Sequence, residues 1–222
     1  MQINIHNEGR VYVIISIIIT IILFPFFQII GLFFLIISFY IFYFFRDPKR
    51  YVPTENVIVS PADGIITFIG NAHAPDSLDN KNEFTKISIF LNIFNVHVNR
   101  FPTDGIIKQI KYINGKFINA SFDKSSEDNE RNIICLENKD KEIFYITQIA
   151  GLIARRIVCE VKENQKIFKG DRFGIIKFGS RVDLYLPKTH KPLVSIGQTV
   201  LGGETIISNP DNINEITSSI KI

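Results

Sequence analysis

The chain is poor in cysteine and lacks a strong excess of either charge. Its two cysteines, Cys135 and Cys159, fit no metal-binding spacing and stand among apolar residues. With one pair and no secretory signal, we expect reduced, buried thiols, which argues against a disulfide-stapled secreted domain and against a metal site. The formal net charge of +3 at pH 7 argues against nucleic-acid binding, which needs a stronger basic patch.

Charge is also missing from residues 11–45, a run of 35 residues without Asp, Glu, Lys or Arg. A bilayer core is crossed by about 20 helical residues, so this run is too long for one upright span and barely long enough for two. Pro25 and Gly31 supply a break. We therefore expect an N-terminal apolar α-helical hairpin, tight or re-entrant, with helices over residues 11–24 and 26–45.

Basic residues flank the apolar run on both sides, with Arg10 before it and Arg46, Lys49 and Arg50 after it. This distribution favours both ends in the cytoplasm and predicts attachment to the cytoplasmic face of the cell membrane. A cleaved signal peptide is disfavoured because the run is too long and no small-residue cleavage site follows it. A buried soluble hairpin is disfavoured because the run has no polar stripe.

The pattern changes after residue 50 to short strand-like runs separated by turn signals, such as NVIVSPADGIITFIG. We therefore expect two parts, a membrane-associated hairpin over residues 1–45 and a cytoplasmic, mainly β domain over residues 46–222. Within the second part, the pair Gly179 and Ser180 interrupts two strand-like runs at residues 173–178 and 182–186.

A weak internal repeat relates NQKIFKGDRFGII, which begins at Asn164, to GQTVLGGETIIS, which begins at Gly197, at an offset of 33 residues. Its turn pattern resembles that of barrel-sandwich hybrid domains, the family of biotinyl and lipoyl carriers. The chain has no evident lysine at the position that such carriers modify. The expected fold is therefore barrel-sandwich hybrid-like, without the carrier function.

Three residues stand out as candidates for chemistry: Asp63 in SPADG, His97 in NVHVNR and Ser180 in FGSRVD. Each is weak alone, because an Asp before Gly is usually a turn former, a His in a strand is usually structural and Gly-Ser pairs are common in loops. Together they supply a nucleophile, a base and an orienting carboxylate. The sequence does not show that they meet in space.

Six ordered segments carry a resemblance to a known family: FFRDPKR, VIVSPADG, ISIFLNIFNVHVNRFP, QIAGLIARRIV, GIIKFGSRVDLYLP and VSIGQTVLGGETII. In this order they resemble the short bacterial form of phosphatidylserine decarboxylase, over residues 44–207. The apolar N-terminus agrees with this resemblance, because an enzyme acting on a diacyl lipid is expected at the membrane surface.

The resemblance implies that a proenzyme cuts itself between Gly179 and Ser180. Ser180 would become a covalent pyruvoyl group, which serves as the electron sink in place of pyridoxal phosphate, and no metal is expected. The products would be a large chain of residues 1–179 and a small pyruvoyl-bearing chain of residues 180–222, paired as a heterodimer. The substrate would be phosphatidylserine in the membrane, converted to phosphatidylethanolamine and CO₂; whether a higher oligomer forms stays open.

The same resemblance assigns roles to the remaining site residues. Asp63 and His97 would orient and deprotonate Ser180, and His97 would protonate the decarboxylated product. Longer family members carry a second histidine three residues after the first, where this chain has Arg100; either His97 serves both steps or another group deprotonates Ser180. Arg100 and, with lower weight, Asn99 are the expected contacts of the substrate phosphate or carboxylate, although a structural salt bridge is equally expected for Arg100.

Two other functions fit some of these features. A membrane-anchored serine peptidase would share the hairpin and the Asp, His and Ser, but it would stay one chain and keep a free Ser180 hydroxyl. A non-catalytic, membrane-tethered hybrid-barrel scaffold would explain the repeat alone.

Overall fold

The computed structural model describes residues 3–78, 82–115, 129–151, 156–177, 180–211 and 218–222. The chain divides into two compact units, Met1–Lys49 and Arg50–Ile222. Each unit is described by itself.

The first unit consists of two helices and a short strand pair. Helix α1 spans Asn7–Leu23 and α2 spans Gln28–Phe44, while strand β1 (Ile3–Ile5) pairs antiparallel with β2 (Arg46–Pro48). Helix α1 begins four residues before the predicted start at residue 11, because the His6 side chain caps it by accepting a hydrogen bond from the Glu8 N–H.

The two helices pack against each other in antiparallel directions. The ring of Tyr12, in the second turn of α1, stacks on Phe45 just after α2, with 5.7 Å between ring centroids. Near the other end of α1, the Thr20 and Ser38 hydroxyls lie 3.3 Å apart. In the described residues, no helix has both the length and the apolar character that a membrane crossing requires.

The second unit is mainly β, as predicted, and its described pairings are all antiparallel. Its strands are β3 Tyr51–Pro53, β4 Ile58–Val59, β5 Gly64–His73, β6 Glu83–Leu91, β7 Val98–Arg100, β8 Gly105–Ile113, β9 Arg131–Glu137, β10 Ile143–Ala150, β11 Arg156–Cys159, β12 Lys166–Ile167, β13 Arg172–Lys177, β14 Ser180–Pro187, β15 Thr199–Val200, β16 Ile206–Ser208 and β17 Ser219–Lys221. A 3₁₀ turn, Pro75–Ser77, follows β5.

An eight-stranded sheet forms the centre of this unit, in the order β12-β8-β9-β10-β14-β6-β5-β15. A second sheet has the order β11-β13-β7. Strand β14 therefore lies inside the large sheet, hydrogen-bonded to β10 on one side and β6 on the other.

Both faces of the large sheet carry apolar residues. Along β14, Val182 and Leu184 belong to the larger apolar cluster, whereas Tyr185 belongs to a smaller cluster. Because successive side chains of a strand point to opposite faces, Ser180 shares the face of Val182 and the larger cluster. The candidate nucleophile is thus turned toward the core.

Candidate active site

Ser180 is the first residue of β14 and is fully buried. It lies opposite Ala150 of β10 and Leu91 of β6. Within the described residues, its hydroxyl oxygen has no hydrogen-bond partner. Gly179, the other half of the predicted cleavage site, lies outside the described residues. A buried hydroxyl without a partner is unfavourable by about 1–3 kcal/mol, so its presence calls for a functional explanation.

His97 is also fully buried and lies between β6 and β7. Its Nδ1 atom is 3.0 Å from the Asn95 carbonyl oxygen. A carbonyl can only accept, so Nδ1 carries the proton and Nε2 is the basic nitrogen of the neutral ring. The His97 carbonyl accepts a hydrogen bond of 3.4 Å from the N–H of Ile176, in β13. This hydrogen bond joins His97 to β13, the strand that precedes Gly179 and Ser180 in the chain.

Asp63 lies in the turn between β4 and β5 and is 5% exposed. Both of its carboxylate oxygens accept hydrogen bonds of 2.8 Å from Arg50 Nη2, and one of them accepts a 2.8 Å bond from the Gly202 N–H. In the described part of the chain, these are the hydrogen bonds of this carboxylate, and none goes to His97. Its role in orienting His97 stays a prediction.

Arg50, predicted from the sequence only as a charge flanking the apolar run, is the ion-pair partner of Asp63. The pair is buried, with 7% and 8% of the two side chains exposed. Two charges so far from water must be paired closely, because an isolated buried ion costs several kcal/mol. The DPKR segment before the β domain was the only sequence signal for this pair.

Arg100 lies beside the same turn and is 2% exposed. Its Nη1 atom donates a 2.9 Å hydrogen bond to the Gly170 carbonyl, and its backbone N–H donates to Pro61. A Cβ atom added to Gly203 would approach Arg100 Cδ to 3.2 Å, so a larger residue here would require the arginine stem to shift by a few tenths of an ångström. The structure thus brings Arg100 to the Asp63 turn; its predicted contact with substrate stays a prediction.

Asn99 belongs to a buried row of three amides. Its Oδ1 accepts a 2.8 Å hydrogen bond from Gln148 Nε2, and Gln148 Oε1 accepts a 2.9 Å bond from Asn132 Nδ2. All three side chains are fully buried. Of these three residues, the sequence predicts only Asn99 as a site residue. The sequence signal for Gln148 and Asn132 is a polar residue at an inward position of a strand.

Two more residues fix β10 where it faces Ser180. Asn129 Nδ2 donates a 2.7 Å hydrogen bond to the Ala150 carbonyl, and the Ala150 N–H donates to the Glu130 carbonyl at 2.9 Å. The Glu130 carboxylate accepts hydrogen bonds from the Tyr112 hydroxyl and the Ile157 N–H. Burial, followed by this bond to Glu130, raises the pKa of the Tyr112 phenol, so Tyr112 acts as a donor throughout the physiological range.

A cavity of about 490 Å³ lies elsewhere, lined in part by Thr147, Asp183 and Tyr185. Asp183 and Tyr185 alternate with Val182 along β14, so this cavity is on the opposite face of the sheet from Ser180. Of the predicted site residues that the structure describes, none lines it.

Comparison with known proteins supports the interpretation drawn from the six segments. The family model described as phosphatidylserine decarboxylase matches residues 38–208. A protein of Ehrlichia chaffeensis, named phosphatidylserine decarboxylase proenzyme, is 51% identical over 207 residues, which cover 92% of this chain and 91% of that protein. Proteins of the same name are 47% identical in Pelagibacter ubique, covering 92% of this chain and 96% of the relative, and 48% identical in Wolbachia pipientis wMel, covering 96% and 94%. The chain therefore belongs to the phosphatidylserine decarboxylase family.

Proposed function

We propose that this protein is a proenzyme that converts its own Ser180 to a pyruvoyl group and then decarboxylates phosphatidylserine to phosphatidylethanolamine. The observation that carries the proposal is the Ser180 hydroxyl, which is buried and, among the described residues, without a hydrogen-bond partner. The names of the relatives supply the substrate and the word proenzyme.

The self-cleavage is an N-to-O acyl shift. The Ser180 oxygen attacks the Gly179 carbonyl carbon, a C–O bond forms, and the Gly179–Ser180 C–N bond breaks, leaving an ester and a free amine. Elimination across the Cα–Cβ bond of Ser180 releases the Gly179 carboxylate and leaves dehydroalanine. Addition of water and loss of ammonia then give the ketone. Serine suits this sequence because its β-hydroxyl first attacks and later leaves.

His97 is the proposed base. With Nδ1 held as the donor to Asn95, the ring offers Nε2 for the Ser180 proton near neutral pH. Asp63 is proposed to act on the reacting groups indirectly, because its carboxylate is hydrogen-bonded to Arg50 and to the Gly202 N–H. Arg100 and Asn99 are the proposed contacts of the substrate phosphate or carboxylate.

The residues around Ser180 fit a pyruvoyl group. The atoms of that group come from Ser180 itself, and its neighbours Leu91 and Ala150 are fully buried apolar residues, which exclude water from the reacting centre. When formed, the group supplies an electron sink for the electrons released with CO₂. His97 is the residue proposed to return a proton to the product carbon.

The two chains are proposed to stay together as a heterodimer after cleavage. The small chain would begin with β14, which is hydrogen-bonded on both edges, and would continue through β15, paired with β5, and β16, paired with β4. These contacts do not depend on the Gly179–Ser180 bond.

We also propose attachment to the cytoplasmic face of the membrane through α1 and α2. Large apolar side chains on and between these helices are exposed, including Phe26 at 78%, Ile29 at 86% and Phe39 at 68%. Exposed apolar surface of this extent is typical of a membrane or protein contact. The substrate also favours a membrane, because each lipid CH₂ group moved into water costs about 0.8 kcal/mol.

For the β-rich unit we propose a barrel-sandwich hybrid-like fold with an internal repeat. Matching turns support it, since Gln165 Oε1 accepts from the Lys162 N–H at 3.1 Å and Gln198 Oε1 accepts from the Ser195 N–H at 3.0 Å.

A denaturing gel with intact-mass measurement tests the proposed activity. We expect two chains, the smaller one blocked to Edman sequencing and reactive with hydroxylamine or borohydride at its ketone. Ser180→Ala should leave one chain without decarboxylase activity. An uncleaved Ser180→Ala protein that still decarboxylates phosphatidylserine would refute the mechanism.

A further inference from the structure

The buried amide row Asn132–Gln148–Asn99 runs in one hydrogen-bond direction. Asn132 donates to Gln148, and Gln148 donates to Asn99, so the Asn99 oxygen is already in use as an acceptor. What Asn99 has left is its amide nitrogen, Nδ2, which is buried and has no partner among the described residues. The row therefore presents two unused N–H groups at Asn99.

The Gln148 side chain, which binds Asn99 of β7, lies on the same face of the large sheet as Ser180. Gln148 pairs with Val182, and Ala150 pairs with Ser180. Residues two apart in a strand share a face and lie about 7 Å from each other. Asn99, bound to the Gln148 side chain, is thus next to the face on which the Ser180 hydroxyl is buried, and among the described residues this hydroxyl also has no hydrogen-bond partner.

We propose that Gln148 and Asn132 are positioning residues that hold the Asn99 amide with its N–H groups toward the reaction centre, where they donate to an oxygen that carries negative charge. This inference rests on the proposed function at Ser180. Two negatively charged oxygens occur at the proposed reaction centre. One is the oxyanion formed when the Ser180 hydroxyl attacks a carbonyl, and the other belongs to the carboxylate of the substrate. Preorganised donors of this kind typically contribute about 10²–10³-fold to a rate.

The polarity of the row gives a sharp test. In Gln148→Glu, an ionised carboxylate can only accept, so Asn99 must turn its Nδ2 toward Glu and present its oxygen to the reaction centre. Protonated Glu can donate to Asn99 Oδ1, as glutamine does, and restores the original direction. Burial favours this neutral form of a carboxyl group. If Gln148→Glu lowered the rate only by disturbing the packing, the rate would not recover as the introduced glutamate becomes protonated.

Asn132→Asp applies the same inversion from one residue further away, because Gln148 must then donate to Asp and present its oxygen to Asn99. Gln198→Glu is the matched control. Gln198 is exposed and its oxygen accepts from the Ser195 N–H, a bond that a glutamate oxygen preserves.

The full-length chains are made by cell-free synthesis and shifted into buffers from about pH 5.5 to about pH 9. Self-cleavage is followed on denaturing gels and decarboxylation of phosphatidylserine in mixed micelles. Each rate is divided by the wild-type rate at the same pH, which removes the pH dependence that the wild-type protein itself shows. We expect Gln148→Glu to be slowed about 100-fold at high pH and to recover as pH falls, with the same trend for Asn132→Asp and none for Gln198→Glu.

The two readouts distinguish the oxygens. A pH-dependent loss in self-cleavage assigns the donors to the oxyanion, and a loss confined to decarboxylation assigns them to the substrate carboxylate. Wild-type rates in both variants, or a loss independent of pH, would overturn the inference. If circular dichroism shows that Gln148→Glu is unfolded, Asn132→Asp decides. Failure of the wild-type chain to form two chains would instead refute the proposed function.

Discussion

Removal of Arg50 should destabilise the β-rich unit far more than removal of a surface cation. In Arg50→Ala, the Asp63 carboxylate keeps, among its partners in the described residues, the Gly202 N–H alone and stays buried without its counter-ion. Breaking one partner of a buried pair costs about 3–5 kcal/mol, a large part of a typical total stability of about 5–15 kcal/mol. For a chain of this size that corresponds to a decrease of about 10 °C in the unfolding midpoint.

The assay is thermal unfolding followed by circular dichroism in detergent, with all variants carrying Ser180→Ala so that the chain stays intact. Lys108→Ala is the matched control, because in the Lys108–Glu137 ion pair the lysine side chain is 46% exposed and the glutamate side chain 30% exposed. Ion pairs at the surface contribute about 0–1 kcal/mol to stability. The double variant Arg50→Ala with Asp63→Ala should be more stable than the sum of the single losses predicts, since it leaves no charge unpaired.

A midpoint for Arg50→Ala that matches Lys108→Ala would refute this reasoning. It would mean that the Asp63 carboxylate finds another partner or becomes protonated without cost. Strict additivity in the double variant would equally contradict a direct interaction between the two side chains.

Two further predictions concern acid stability and the Asp63 turn. Burial alone would raise the pKa of Glu142, but hydrogen bonds from neighbours, first among them His190, more than offset the effect of burial and lower the pKa below the ordinary 4.5. Because the pKa of Glu142 is lower in the folded state, its ionised carboxylate stabilises the fold above pH 4.5. This stabilisation is lost as pH falls through the lowered pKa. Unfolding midpoints measured against pH should therefore fall more steeply on the acid side for wild type than for Glu142→Gln, and parallel curves would contradict this. Gly203→Ala should destabilise more than Gly197→Ala, because both have positive φ, 81° and 87°, but only the first added Cβ meets another group, Arg100. Urea titrations should show a loss of about 1–2 kcal/mol in the free energy of unfolding of both variants from the shared backbone strain, and a larger loss for Gly203→Ala. Equal losses in the two variants would show that the Arg100 side chain moves aside freely.

The parts of this molecule that the sequence predicts are those set by local pattern. The charge-free run predicts two helices because it is longer than one membrane span and is broken at Pro25 and Gly31, and the alternation in VDLYLP predicts β14. Helix α1 begins at Asn7 rather than at the predicted residue 11, because the capping side chain of His6 extends it across the polar residues Glu8 and Arg10.

The site contacts depend on pairings between distant parts of the chain. Asp63 meets a backbone N–H that lies 139 residues later, and Gln148 meets Asn99 across 49 residues. No periodicity reports such contacts, because they follow from the order of strands in the sheet. Knowing the family names the reacting serine, but it does not name the groups that hold the neighbouring side chains in place.

The interior position of β14 has a consequence for the lifetime of the molecule. Under the proposed self-cleavage, the backbone is severed only after this strand has been inserted between β10 and β6, so one covalent chain directs an assembly that two fragments must afterwards maintain. Once the mature protein unfolds, the fragments diffuse apart and the original connectivity is gone, which makes denaturation a one-way process. Durability of the mature form would then be a question of how slowly it opens, rather than of an equilibrium between folded and unfolded states.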